Sequence, residues 1–459
     1  MKRNVFLLAL QFFLFVSWIS PENPPAREAY EKGEYFHAML LWEKQALNGN
    51  AIAQYNLATL HYKGLGTPKD PFEAFKWYRV SALTGNNIAM FRIGMMYLKG
   101  DGIEKNCESA FKWIKKSNEN SYQEATFQLG KMYYHAKCAK RDYVKALEAF
   151  EQYYDIISKK NISNTEIINL EKYDVKKRML ETRNYIKDIF YQLGYLHFMG
   201  DGFIQNTKKA LEYWEKAAEE GHKQALFSLG LAYHNGVTGK ANIRLAYEYY
   251  YHSALEGEIE AIKLLREKTL EGVAFAQYRL ALVYKRSIKN EKLQKILSSP
   301  EGSVEKFEDF FEEKELSNSE KFLFLLRFAA ARDCTEAQHE IGKAYELGLG
   351  TPINYFMAFQ WYQMAANQRM AESQYALGLM YEEGKGFDKD IFMSYVWMQI
   401  SAKEGYKKAE EKLFFLEKKM TKEEALSAKN IAKFWKPHHG FERKAVPFKR
   451  IEKLEPSLP

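Results

Sequence analysis

Apolar residues recur along this chain with a helical spacing, and that pattern itself repeats. Between Ala51 and Asn86 the run AIAQYNLATLHYKGLGTPKDPFEAFKWYRVSALTGN reads as two short amphipathic helices joined by a glycine loop. In the first helix, A-x-Y-x-L-G-x-x-Y sets the alanine, the next apolar residue and the leucine–glycine pair on one face. The unit returns every 36 residues: Gly64, Gly100 and Ala136 mark one series, Gly200 and Gly236 a second, Gly348 and Gly384 a third. A fixed period of this length predicts a solenoid, in which each helix pair buries its apolar face against its neighbours. The expected fold class is all-α, an α-solenoid of antiparallel helix pairs.

Each recurring residue has a physical reading. A glycine inside the first helix (Gly94, Gly130, Gly194, Gly230, Gly342, Gly378) disfavours the helix by about 1 kcal/mol relative to alanine. Close approach of the paired helix is the expected return, and Ala58 and Ala281 fill the same slot with the next smallest side chain. Loop glycines follow as G-x-G: Gly64 and Gly66, Gly100 and Gly102, Gly200 and Gly202, Gly348 and Gly350, Gly384 and Gly386. The first of each pair ends its helix in the left-handed conformation. Ten residues past it stands a small residue: Ala74, Ala110, Ala146, Ala210, Ala246, Ala358 or Ser394. Three further on comes Trp77, Trp113, Tyr213, Tyr249, Trp361 or Trp397, with Ala149 as the exception. An alanine in register with a large ring predicts knob-and-hole packing, and these rings are read as core.

A-x-Y-x-L-G-x-x-Y-x-x-G-x-G, followed by A-x-x-W-Y and A-A-x-x-G, resembles the Sel1-like repeat family, relatives of the tetratricopeptide repeats. The stretches AFQWYQMAANQ and ALGLMYEEGKG carry the resemblance most closely. What it implies is a right-handed superhelix without cofactor, serving as a scaffold or adaptor for protein complexes. Exported members are often bacterial and several act at the cell envelope; the cysteine-rich secreted members carry a bridge in each repeat, a pattern missing here. The expected organisation is a signal peptide or uncleaved anchor over 1–20, repeat blocks over 26–154, 188–285 and 320–405, and insertions at 155–187 and 286–319. Capping helices follow at 406–435 and a basic tail at 436–459. The insertions and the lost loop glycine at Ala136 put continuity of the stack in question near 155–190 and 258–320.

The N-terminus reads as an address. Lys2 and Arg3 precede an apolar run from Val5 to Ile19 and then PENPP, the order of a signal peptide. At Trp18, where a cleavage site wants a small side chain, the motif is poor, so an anchor stays open. Export to a bacterial periplasm or beyond is the expected localisation, with no membrane insertion past that anchor. The single N-x-S sequon, at Asn161, would favour a eukaryotic secretory adaptor instead. Three cysteines, Cys107, Cys138 and Cys334, give no disulfide framework or thiolate zinc spacing. Cys107 and Cys138 can meet if adjacent repeats bring them close, but free thiols are the preferred reading. A net charge of +8 arises from 67 basic and 59 acidic residues spread along the chain. It describes a solvated surface, and no nucleic-acid partner is expected.

Chemistry is sparse. His339-Glu340 lacks the second histidine of H-E-x-x-H, and His438-His439 is a solvated pair rather than a metal site. Ser109 and Lys112 match S-x-x-K, but no S-D-N or K-T-G accompanies them. The loops around Asp101 and Asp201 lack the alternating oxygen ligands of a calcium site. No catalytic, metal or cofactor residue is assigned. The expected function is an exported, monomeric scaffold that binds proteins. A peptidoglycan- or β-lactam-interacting envelope protein is the alternative. Residues that vary between copies, such as Gln54, Lys76 and Arg79, are expected to carry binding.

Overall fold

The structure, a computed structural model, describes residues 24–159, 175–237, 239–311 and 316–436. The chain divides into two compact units, residues 1–213 and 214–459. The signal-peptide run, the Asn161 sequon and the basic tail lie outside the described residues.

The first unit opens with α1 (Pro24–Glu31) and α2 (Tyr35–Leu47) and continues through α3 (Ala51–Lys63), α4 (Pro71–Leu83), α5 (Asn87–Lys99) and α6 (Cys107–Glu119). After these come α7 (Gln123–His135), α8 (Tyr143–Lys159), α9 (Val175–Met199) and α10 (Thr207–Glu219), whose end passes into the second unit. Pairs α3–α4, α5–α6 and α7–α8 pack as antiparallel hairpins, each stacked on the next. Helix α9 is continuous across residue 188, so the end of the first insertion is an extension of a repeat helix rather than a separate element. It is tied down by Arg178, whose guanidinium donates to Glu181 at 3.2 Å and Glu124 at 3.4 Å, and by the Tyr134–Asp188 hydrogen bond.

The second unit contains α11 (Lys223–His234), α12 (Ile243–Leu255), α13 (Ile259–Leu270), α14 (Ala274–Ser287) and α15 (Glu291–Leu297). Beyond two 3₁₀ turns lie α16 (Asn318–Ala330), α17 (Thr335–Leu347), α18 (Tyr355–Asn367), α19 (Ala371–Glu383) and α20 (Ile391–Lys403), then α21 (Lys407–Glu417) and α22 (Lys422–Phe434). The second insertion does not interrupt this unit's stack. Helix α14 pairs directly with α16 across it, and Phe307 and Phe311 enter the core. Arg266 is 2% exposed; it donates to the carbonyls of Gly302 at 2.6 Å and Leu297 at 2.8 Å and lies over the Phe307 ring. A buried cation thus nails the inserted segment to α13, and its charge is met by carbonyl dipoles.

Three registers hold a repeat together. The first sets each in-helix glycine against a side chain twenty residues on. A Cβ on Gly94 would fall 2.5 Å from Ile114, on Gly130 2.9 Å from Phe150, on Gly230 2.5 Å from Tyr250, and on Gly342 2.6 Å from Tyr362. Gly378 meets Met398 at 2.8 Å in the same way. The knob is therefore one residue later than the sequence pattern suggested. Trp77, Trp113 and Trp361 are only half-buried, while Tyr78, Ile114 and Tyr362 are buried. From the alanine, four residues complete the turn that faces the partner helix, and three fall short of it.

A second register crosses between neighbours through the second loop glycine. A Cβ on Gly66 would sit 2.6 Å from the backbone of Tyr35 and Phe36, and on Gly102 2.5 Å from Pro71. One on Gly350 would overlap the Ser319 carbonyl oxygen. In each case the loop of one repeat lies on the N-terminus of the preceding second helix. The third register is polar. Ser81, Ser117, Ser253 and Ser401 are fully buried, and their hydroxyls donate to Ala51, Asn87, Lys223 and Ala371 carbonyls at 2.6–2.8 Å. Gln54, Gln277 and Gln374 reach back eight residues to the last carbonyls of the preceding helix, where orphan acceptors need donors.

Repeat three departs from this scheme in its loop. Ala136 and Cys138 occupy the two glycine slots and both keep the left-handed backbone, with φ of 54° and 62°. Cys138 stands where Gly66 and Gly102 touch the preceding helix, and that helix begins at Cys107. The Cβ that would clash elsewhere here carries a sulfur, and Cys107 and Cys138 form a disulfide with Cα atoms 4.8 Å apart. The expectation of free thiols at these two positions is thus corrected; only Cys334 is free, and it is buried. Ala136 has no such compensation. Ala136→Gly removes the left-handed penalty and is expected to stabilise the first unit by about 1 kcal/mol, read as a higher denaturation midpoint in urea.

Candidate functional site

Residues singled out in the sequence are distributed by the fold among packing roles. Gly64, Gly100, Gly348 and Gly384 adopt left-handed φ of 70–76° at the ends of α3, α5, α17 and α19. Gly200 and Gly202 do the same after α9, at φ 77° and 71°; Gly194 lies within α9. A Cβ added at Gly386 would fall 3.1 Å from Tyr355. Ala74, Ala110 and Ala358 are fully buried, and Trp397 is buried against α22 with Trp435 at its edge. Gln54, expected to be a variable surface residue, is 3% exposed and donates to the Ala46 carbonyl at 3.0 Å. It belongs to the packing.

Sequence reasoning passed over the residues that start the second helices. Asp70, Asn106, Asp142, Asn206, Asn242, Asn354 and Asp390 each cap a helix or its first turn, and each backbone N–H bonds a carbonyl nine residues upstream. Side-chain oxygens accept from the third helical N–H, as at Asp70–Glu73 (2.9 Å) and Asn354–Met357 (3.0 Å). Their own 36-residue spacing was the available signal, masked by the more conspicuous Thr-Pro pairs.

Polar side chains do not gather into a catalytic arrangement among the described residues. Ser109 N–H donates to Asn106 Oδ1 in the first turn of α6, and Lys112 projects to solvent one turn on. Asp101 accepts from the Tyr62 hydroxyl at 2.5 Å, a contact between neighbouring repeats. His339 meets Ser373 Oγ at 2.8 Å, and burial pushes its imidazole down to about 4, so it is neutral near pH 7. Glu340 beside it is held below the usual carboxylate range: burial opposes this, but the flanking Lys285 and Lys343 outweigh it. Among the described residues no group of three His, Cys, Asp or Glu side chains is placed to hold a metal ion. No described helix is long and apolar enough to cross a membrane.

What remains is the surface of the stacked pairs, built from positions that differ between copies. An all-α solenoid of helix pairs defines the class of protein. The Sel1 repeat matches residues 51–86, 87–122, 123–151, 191–222, 223–258, 335–369 and 371–406, more than half of the chain, and the chain belongs to the Sel1 repeat family. It is 28% identical over 207 residues to chitin synthase regulatory factor 2 of Schizosaccharomyces pombe, covering 45% of this chain and 34% of that protein. The chain thus matches about a third of the length of that curated relative. Among solved structures it is similar to c5321, a protective antigen of uropathogenic Escherichia coli with an SLR fold. That likeness has 23% identity and a TM-score of 0.31, over 89% of this chain and 91% of the other. A Sel1 repeat protein from Oxalobacter formigenes gives 21% identity and a TM-score of 0.34, over 87% and 94%.

Proposed function

We propose that the chain is an exported scaffold or adaptor that binds other proteins through its stacked helix pairs and catalyses no reaction of its own. The observation that carries this reading is the division of labour within each repeat. Glycines, alanines, buried rings, serines and caps are all engaged in packing, and what is left to differ is the outer surface of the stacked helix pairs within each unit. Many shallow contacts can be summed along such a surface, which suits recognition of polypeptides. Export is supported by the order of basic, apolar and polar residues at the N-terminus and by the Cys107–Cys138 bridge. Disulfides persist in oxidising compartments and are rare in reducing ones.

Capture on immobilised full-length chain from envelope and secreted fractions is expected to return a saturable protein partner. Failure to return one overturns the scaffold reading. Turnover of a chromogenic β-lactam or of labelled muropeptides, abolished by Ser109→Ala, would instead establish the enzymatic alternative.

A further inference from the structure

The second helices differ from repeat to repeat in what they turn outward. In α6 the second, sixth, ninth, tenth and thirteenth residues are Glu108, Lys112, Lys115, Lys116 and Glu119, and all are exposed. Charges at these positions leave the face to water. In α2 and α4 the same set of positions holds Phe36, Leu40 and Leu47, and Phe72, Val80 and Leu83, which are 43–73% exposed. At 3.6 residues per turn each trio forms one stripe, on the far side of its helix from the buried Trp42 or Tyr78. Terminal repeats of a solenoid ordinarily turn a polar face outward, and these two do not.

Another second helix shows what such a stripe receives. In α20 the sixth and tenth residues are Val396 and Ile400, both 2% exposed. Helix α22 packs on α20, and its Ala425, Ala428 and Ala432 join the same buried cluster. An apolar stripe on a second helix is thus a seat for a further helix. Helices α2 and α4 lie side by side: Gly66, in the loop leading into α4, rests on Tyr35 and Phe36, and Trp77 of α4 packs against the cluster that holds Trp42 of α2. Large apolar side chains carry about 200 Å² each, so the six present about 600 Å² together, the upper end for a patch on a monomer. Two such patches face to face bury about 1,200 Å², enough for a specific and stable interface.

Charge selects the occupant. The ninth residue of α2 is Glu43 and that of α4 is Arg79; both are exposed, and neither has an ion pair among the described residues. A two-fold axis running along the helices lays α2 of one copy on α4 of the other, parallel and position on position. Phe36 then meets Phe72 of the second copy, Leu47 meets Leu83, and Glu43 meets Arg79, each contact being made twice. The other two-fold arrangement, α2 antiparallel to α2 and α4 to α4, sets Lys76 against Arg79 and is opposed by their like charge. We propose that the outer faces of α2 and α4 form the interface of a two-fold dimer of this chain, α2 of each copy lying along α4 of the other. The dimer replaces the monomer expected from the sequence, and it stands apart from the identity of any other protein that the scaffold binds.

Sedimentation equilibrium of the full chain tests it, with a monomer–dimer equilibrium of micromolar or tighter dissociation constant as the expected result. Leu47→Lys with Leu83→Lys, both at exposed positions, is expected to raise that constant at least about tenfold while leaving the urea midpoint unchanged. Arg79→Glu sets two carboxylates against each other at both symmetric contacts and is expected to weaken the dimer about tenfold or more; Glu43→Arg does the same with two guanidiniums. Combining Glu43→Arg with Arg79→Glu restores opposed charges, and the constant is expected to return to within about threefold of wild type. The antiparallel arrangement gives the opposite result for Arg79→Glu alone, a tighter dimer through Lys76, and that outcome overturns the proposed pairing. A chain that stays monomeric overturns the proposal, as does association that ignores all these substitutions, which is the behaviour of contacts through the apolar run Val5–Ile19. Binding of a monomeric chain to vesicles of phosphatidylethanolamine and phosphatidylglycerol, lost with Leu47→Lys and Leu83→Lys, overturns it in favour of a membrane surface.

Discussion

Gly102→Ala is expected to destabilise the first unit by about 3 kcal/mol or more, and Gly49→Ala by only about 1 kcal/mol. Both glycines have a left-handed backbone, φ 75° and 87°. An alanine at either site therefore meets a similar conformational penalty. They differ in what lies beside them. At Gly102 the new Cβ would sit 2.5 Å from the Pro71 carbonyl carbon and 2.6 Å from its oxygen, and backbone at the start of α4 cannot swing aside as a long side chain can. At Gly49, exposed in the turn between α2 and α3, no described atom lies within 4 Å. The difference between the two variants isolates the close approach of one repeat to the next. Urea denaturation of the full chain, followed by far-ultraviolet circular dichroism, measures it. Equal losses would mean that the loop glycine acts through backbone conformation alone and that the stack does not depend on the contact.

Most of the architecture was legible because packing residues repeat. The 36-residue period, the helix pairs and the close approach at Gly94 or Gly342 all follow from residue size and spacing. Less legible was anything that depends on which side of a turn a residue faces. Trp77 drew attention as the larger ring, yet Tyr78 is the one that packs under Ala58, because a step of 3.6 residues favours the fourth position over the third. Gln54 looked like a surface polar residue; its burial follows from the free carbonyls at the end of α2, which a sequence does not display. The second insertion read as an interruption because its aromatic residues lack the repeat's spacing. Phe307 and Phe311 instead join the core through Arg266, a long-range contact invisible to any local pattern. The caps of the second helices were hidden for a related reason. Asp70 or Asn354 is one polar residue among many until its backbone N–H is seen to bond a carbonyl nine residues upstream.

Reducing the Cys107–Cys138 bridge is expected to lower the stability of the first unit by roughly 2–4 kcal/mol, the range for closing a loop of about thirty residues. Position 138 makes the sign of the next step predictable. In the neighbouring repeats this slot holds Gly66 or Gly102, which accept the left-handed backbone freely and let the loop rest on the preceding helix. Cys138 accepts the same backbone with a side chain present, and the covalent link to Cys107 offsets that strain. Once the link is cut, strain remains and the compensation is gone. Cys107→Ser with Cys138→Ser should therefore be the least stable variant. Cys107→Ser with Cys138→Gly should recover about 1 kcal/mol by returning the slot to its usual occupant. Urea midpoints of both variants, and of wild type with and without reductant, decide the matter. If the serine and glycine variants match, the backbone at 138 relaxes when the bridge opens, and the loop owes its conformation to the disulfide alone. If the glycine variant is the more stable, the bridge is a local substitute for a glycine contact that the other repeats make without sulfur. An oxidising compartment would then be a condition for a complete stack, which joins the export proposed for this chain to the packing of its third repeat.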